Sequence, residues 1–185
     1  YKALDLTSKL VQGDAVVDVI MTEAACKFIT PLSFQGVSGR PVYTNLWTLG
    51  NGDIGHIEMA NSADLVVIAP ATANVIAKLA HGLADDLLTT TVLATKARLI
   101  VAPAMDGNMY YHPLVQQNIN KLLEMGVIIV GPNEGRLASG MVSKGRLSEP
   151  HEILGHIRAV LGSQGDLKGK KIVVTAGGTQ EPIDP

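Results

Sequence analysis

A chain of 185 residues can bury one domain with a remnant of another, not two full domains, and 46% hydrophobic against 17% charged residues excludes a disordered polymer. A net charge of -2 with 4% aromatic residues offers nucleic acid neither an electrostatic footprint nor stacking platforms, and apolar runs such as Leu65 to Ala71 fall short of the roughly 20 residues that cross a bilayer. The single cysteine, Cys26, cannot close an intrachain disulfide and the first residues lack a signal pattern, so a cytoplasmic protein is expected.

Residues 1–10 have the spacing of the back half of a helix, and a strand of the parent protein is expected to precede them. Val- and Ile-rich runs then recur at 15–21, 64–69, 98–102, 126–130 and 171–175. Continuous rather than alternating apolar character predicts strands covered on both faces, as in a parallel sheet. Helical spacing fills 23–30, 71–81, 85–95, 112–125 and 149–161. The alternation predicts a doubly wound, three-layer α/β/α fold, in which ligands sit outside the carboxyl ends of the strands. Gly162-Ser163-Gln164-Gly165 reads as a flexible linker. A domain over 1–161, a linker over 162–169 and the opening of a second domain over 170–185 are therefore expected.

The loops after the strands are where chemistry should lie. At Met21-Thr22-Glu23-Ala24-Ala25, Thr22 can cap a helix whose free N–H groups suit a phosphate; ordinary capping is the competing reading. At Pro70-Ala71-Thr72-Ala73-Asn74, small side chains let a flat ligand approach the backbone while Thr72 and Asn74 add hydrogen bonds. Ala102-Pro103-Ala104-Met105-Asp106-Gly107-Asn108-Met109-Tyr110 holds two methionines and a tyrosine, poor candidates for a solvated turn and better ones for pocket lining. Residues 135–146, with three glycines and three cations but no apolar periodicity, describe a mobile surface segment placed to act as a lid.

Of the five histidines, His151 and His156 belong to the last helix, His112 precedes Pro113 at a helix start, and His81 ends a helix where a cation favours the dipole. His56 differs: it follows Gly52 and Gly55 and can reach the ligand end of the sheet. No His-x-x-His or Cys-x-x-Cys spacing exists, so no metal site is expected.

Four motifs stand in order: Gly55-His56-Ile57-Glu58-Met59-Ala60; Ala69-Pro70-Ala71-Thr72-Ala73-Asn74 leading to Gly82-Leu83-Ala84-Asp85-Asp86; Pro103-Ala104-Met105-Asp106-Gly107-Asn108-Met109-Tyr110; and the segment ending Gly145-Arg146-Leu147-Ser148-Glu149-Pro150. On these, residues 1–161 resemble the flavin-dependent cysteine decarboxylases, most of all the phosphopantothenoylcysteine decarboxylases of coenzyme A biosynthesis. The tail around Thr175-Ala176-Gly177-Gly178-Thr179 is similar to the opening of a phosphopantothenate–cysteine ligase. The resemblance implies a bifunctional parent that also joins cysteine to 4′-phosphopantothenate using CTP.

It further implies a flavodoxin-like fold and FMN at the strand ends, with trimers often assembled into dodecamers. Thr22 and Ala24, together with Thr72, Ala73, Asn74 and Val75, would meet the FMN phosphate, with Ala104 near the flavin. Flavin chemistry is needed because a cysteine carboxylate has no adjacent electron sink; transient oxidation of the thiol-bearing carbon supplies one. His56 matches the catalytic histidine, a base or proton carrier of a type that exchanges protons near neutral pH. Met105, Asp106, Met109, Lys144 and Arg146 would bind substrate.

Three positions depart from the family. Asp106 stands where an asparagine binds the substrate carboxylate, so either Asp106 is protonated or another donor meets that carboxylate. Ser139 stands where a cysteine protonates the enethiol intermediate, and Ser143 replaces a glycine. Two alternatives remain open: a peptidyl-cysteine decarboxylase that stops at the enethiol, and a non-catalytic flavin-binding subunit.

Overall fold

Parallel strands flanked by helices form the frame. The computed structural model describes residues 1–46, 55–163, 165 and 168–171. The chain opens with helix α1 (Lys2–Gln12), followed by β1 (Val19–Ile20), the short α2 (Glu23–Cys26), α3 (Pro31–Ser38) and β2 (Val42–Tyr43). Helix α4 (Gly55–Ser62) leads into β3 (Leu65–Ala71), then α5 (Ala73–His81), α6 (Leu87–Ala94) and β4 (Arg98–Pro103). After α7 (Gly107–Tyr110) and α8 (Pro113–Glu124) come β5 (Ile128–Ile129), the pair β6 (Asn133–Arg136) and β7 (Val142–Arg146), and α9 (Pro150–Gly162). Strands β3, β4 and β5 form one parallel sheet in that order, and β1 pairs in parallel with β2 in another.

Strand geometry explains the layers. Successive side chains of β4 point to opposite faces, so Val101 joins Ile68, Val75, Ile76, Leu79, Ile119 and Leu122 in a core under α5 and α8. Ile100 and Ala102 join Leu6, Val130, Ile153 and Ile157 in a second core under α1 and α9. The expected three-layer arrangement is therefore present, and each fully buried Ile or Leu contributes about 1.5–3 kcal/mol of transfer free energy. Among the described residues no helix is long and apolar enough to cross a membrane.

Local chemistry sets the helix ends. Thr72 accepts from the Val75 amide at the start of α5, and Gly82 closes that helix in the left-handed region at φ 66°. His112 caps α8, its Nδ1 accepting from the Leu114 amide. His81 Nε2 lies 3.0 Å from Asn118 Oδ1, tying α5 to α8.

Several boundaries differ from the sequence expectation. The helix expected over 23–30 stops at Cys26; Thr30 and Pro31 start a separate helix, because proline suits a first helical turn and not an interior. Only Val19 and Ile20 of 15–21, and Ile128 and Ile129 of 126–130, pair as strand. Residues 135–146, read as a mobile surface segment placed to act as a lid, belong to an antiparallel hairpin with Gly135↔Ser143 in register. The backbone ladder supplies its order, so apolar periodicity is not required. Gly162 closes α9 rather than opening a linker. The strand expected over 171–175 and the phosphate loop after it lie outside the described residues, apart from Lys171.

Candidate active site

The ends of β3 and β4 meet in one pair of loops, and β1 ends at a cleft beside Asp85 and Asp86. Thr22 follows β1 and caps α2, accepting from the Ala25 amide at 3.2 Å. Thr72 follows β3 and caps α5. The loop after β4 is fastened to the one after β3, since the Ala104 N–H donates to the Ala71 carbonyl at 2.9 Å. Thr72, Asn74 and Ala24 are exposed, and Thr22, Ala73 and Ala104 half-buried. The first turn of a helix leaves amides without intrahelical acceptors. In α5 the Val75 amide is taken by Thr72, so Ala73 and Asn74 carry the outward-facing donors.

Thr22 also lines a cleft with Glu23, Thr44, Asn45, Asp85 and Asp86. Lys78 meets both Asp85 (2.6 Å) and Asp86 (3.0 Å), and its ammonium pKa is raised by those two carboxylates. Burial pushes the Asp86 carboxyl up, but hydrogen bonds from Thr89 and Lys78 outweigh it and hold the group below its ordinary value. Asp86 thereby caps α6 in a reciprocal capping box with Thr89. Thr44, Asn45 and Lys78 were not singled out from sequence. They belong to ordinary capping and strand-end patterns; only the fold brings Thr44 and Asn45 to Thr22, and Lys78 to Asp85 and Asp86.

The second half of the site is where the hairpin meets the β4 loop. The Met105 N–H donates to the Gly145 carbonyl at 3.0 Å. Glycine is required at 145: a Cβ there would lie 2.2 Å from the Met105 carbonyl oxygen. Gly107 faces Ser143 just as closely, a Cβ falling 2.3 Å from Ser143 Oγ. Lys144 Nζ sits 5.7 Å from the centre of the Tyr110 ring. Arg146 donates to Glu149 Oε1 at 2.8 Å, and the same oxygen accepts from the largely buried Lys2. Met109 is exposed and Met105 half-buried.

Asp106 and Ser139 are directly bonded. Asp106 Oδ1 accepts from the Asn108 amide at 3.0 Å, and Oδ2 accepts from Ser139 Oγ at 2.7 Å. The Ser139 hydrogen bond, then the Asn108 amide, lower the Asp106 pKa, so Asp106 is ionised at neutral pH. Of the two alternatives left by the sequence, a protonated Asp106 is the one this geometry opposes.

His56 is half-buried in the first turn of α4, which packs chiefly against α6; Gly52 and Asp53 before it lie outside the described residues. The structure groups Thr72 with Ala104 and Met105, and Asp106 with Ser139, Lys144 and Tyr110. Among the described residues, no hydrogen bond links His56 to either group.

A family model described as Flavoprotein matches residues 1–162. The chain belongs to the flavoprotein family. Over its whole length this flavoprotein is 52% identical to the coenzyme A biosynthesis bifunctional protein CoaBC of Bacillus subtilis (strain 168), of which it covers 46%. It thus spans about half the length of such relatives. Among solved structures, a PPC decarboxylase with a Cys-to-Ser substitution, complexed with pantothenoylaminoethenethiol, matches at TM-score 0.79 and 33% identity, covering 88% of this chain and 91% of that one. The FMN-dependent cysteine decarboxylase SpaF matches at TM-score 0.73 and 33% identity, covering 86% of each chain. The flavodoxin-like α/β fold expected from the sequence is the fold observed.

Proposed function

We propose that this flavoprotein is the decarboxylase part of a bifunctional coenzyme A biosynthesis protein. Its reaction is FMN-dependent decarboxylation of 4′-phospho-N-pantothenoylcysteine to 4′-phosphopantetheine. The observation that carries this reading is 52% identity across the whole chain to a bifunctional CoaBC protein. Residues beyond 170 belong, in this reading, to a ligase that joins cysteine to 4′-phosphopantothenate. Assembly as a homotrimer or dodecamer in the cytoplasm completes the proposal.

The residues present fit FMN. Small side chains at Ala73 and Ala104 leave room for a flat ring against the backbone, and the exposed start of α5 offers Ala73 and Asn74 amides with the Thr72 hydroxyl to a phosphate. Thr22 and Ala24 would support that phosphate from α2. Asp85 and Asp86 line the cleft at Thr22, and the single ammonium of Lys78 offsets only part of their charge, which favours placing most of the anion at the start of α5. When bound, FMN supplies a hydride acceptor for the carbon bearing the thiol. His56 moves a proton at that carbon or its sulfur. Met105 and Met109 provide apolar contact, while Lys144 and Arg146 bring positive charge to an anionic substrate.

Replacing His56 by Asn tests the assignment. CO2 release from phosphopantothenoylcysteine should fall by at least the hundredfold typical of a lost proton-transfer group, with flavin content unchanged. Unchanged turnover would remove His56 from the reaction. One observation favours the shorter reaction as a second reading: Ser139 directs its hydroxyl at Asp106 rather than into free space, a poor arrangement for protonating an enethiol.

A further inference from the structure

We propose that Asp106 and Ser139 form an acceptor-only edge at the carboxyl end of β4, which selects a ligand end offering hydrogen-bond donors and disfavours one ending in a carboxylate. The inference rests on the function proposed above and names a specificity determinant within it.

The argument is one of proton count. An ionised carboxylate has no hydrogen to give, so the hydrogen in the 2.7 Å contact comes from Ser139 Oγ. With that hydrogen directed at Asp106 Oδ2, Ser139 turns only lone pairs outward. The remaining Asp106 oxygen, already accepting from the Asn108 amide, is an acceptor too. Neither side chain can then donate to a ligand, and together they carry one negative charge. Of the three cations of the hairpin, Lys144 stands over Tyr110, Arg146 meets Glu149 and Arg136 is exposed on β6, and none of them is bonded to Asp106 among the described residues. Ser139 and Asn108 are exposed, so a ligand can reach the pair.

The pair is also held in place from below. The Met105 amide bonds to the Gly145 carbonyl, and Gly107 packs so closely on Ser143 that no side chain fits between them. The hairpin tip above is closed on itself by the Leu137 amide donating to Met141 at 2.8 Å and the Gly140 amide donating to Leu137 at 2.9 Å. A carboxylate approaching this pair meets a like charge and no donor from Asp106 or Ser139, whereas an amide N–H, hydroxyl, thiol or ammonium meets acceptors. Loss of CO2 relieves the repulsion, so an edge that weakens binding of the carboxylated ligand favours the decarboxylated one.

The test uses the full-length, flavin-loaded protein and two probes that lack the thiol and cannot react. They are 4′-phosphopantothenoyl-serine and 4′-phosphopantothenoyl-ethanolamine, which differ only in the carboxylate. Calorimetric titration should show the ethanolamine probe binding about five- to tenfold more tightly, as expected for like charges near contact at a wet surface. Asp106→Asn, which keeps a good cap for α7 but adds N–H donors and removes the charge, should bring the ratio to one or invert it. Ser139→Ala keeps the charge and should leave the ethanolamine probe favoured. Tighter or equal binding of the serine probe by the unaltered protein overturns the inference, as does a ratio that Asp106→Asn leaves unchanged; either result leaves the proposed function standing. If neither probe binds, the proposed function falls and this inference with it.

Discussion

Gly145→Ala asks whether the hairpin is seated on the β4 loop as described. The added Cβ would lie 2.2 Å from the Met105 carbonyl oxygen, and the atom it meets is backbone, which cannot swing aside. Either β7 or the Met105 peptide must retreat by roughly 1 Å, the kind of overpacking that costs about 1–3 kcal/mol. The retreat also lengthens the bond from the Met105 amide to the Gly145 carbonyl, worth about 0.5–1.5 kcal/mol. A loss of about 2–4 kcal/mol is expected in urea unfolding followed by circular dichroism. Two other glycines calibrate the result. Gly140 has φ +86° with nothing within 4 Å of an added Cβ, so Gly140→Ala should cost only the left-handed backbone penalty of about 1–2 kcal/mol. Gly155 lies inside α9 with open space around it, so Gly155→Ala should stabilise by about 0.5–1 kcal/mol. If Gly145→Ala costs no more than Gly140→Ala, the seating of the hairpin is wrong.

Other consequences follow from the same contacts. Leu122→Ala, at a side chain 1% exposed between α8 and the sheet, should cost about 2–5 kcal/mol in the same assay. Asp86→Ala removes the cap of α6 and should cost about 0.5–2 kcal/mol at neutral pH. Because the folded Asp86 carboxyl is held below its ordinary value, its contribution is complete above the unfolded pKa of about 3.9 and disappears as pH falls through the folded one. The difference between the two proteins should therefore close in acid; a gap that persists there would contradict the assigned bonding. Lys78, with its pKa raised, contributes fully below about pH 10.4 and loses that contribution as pH rises through its folded value, so Lys78→Met should matter least in strong alkali. Ser139→Cys should raise the share of saturated thiol among the products, measured by mass; an unchanged share would clear Ser139 of limiting the reductive half.

The central layers were legible because burial on both faces writes continuous apolar runs into β3 and β4, and because Thr72, Gly82 and Pro113 mark helix ends. Strand and helix boundaries at the periphery were not. Residues Val42 and Tyr43 form too short a strand to leave a period, and α3, which starts at Pro31, lies just past the helix expected over 23–30 and was not anticipated. The hairpin was invisible for a different reason. Its order comes from backbone pairing and from Gly107 and Gly145 lying flush against neighbouring chain, neither of which produces a hydrophobic pattern. At the site, the departures at Asp106 and Ser139 could be read singly from sequence. That they are bonded to each other depends on the turn between β6 and β7, and only coordinates show it.

Product analysis of the full-length protein tests the account most directly. Incubated with 4′-phospho-N-pantothenoylcysteine, the purified, yellow protein should release CO2 and form a decarboxylated thiol of the corresponding mass, with flavin absorbance present before substrate is added. A colourless protein, or a flavin-loaded one that leaves the substrate carboxylate intact, would contradict the assignment of this chain as an FMN-dependent decarboxylase.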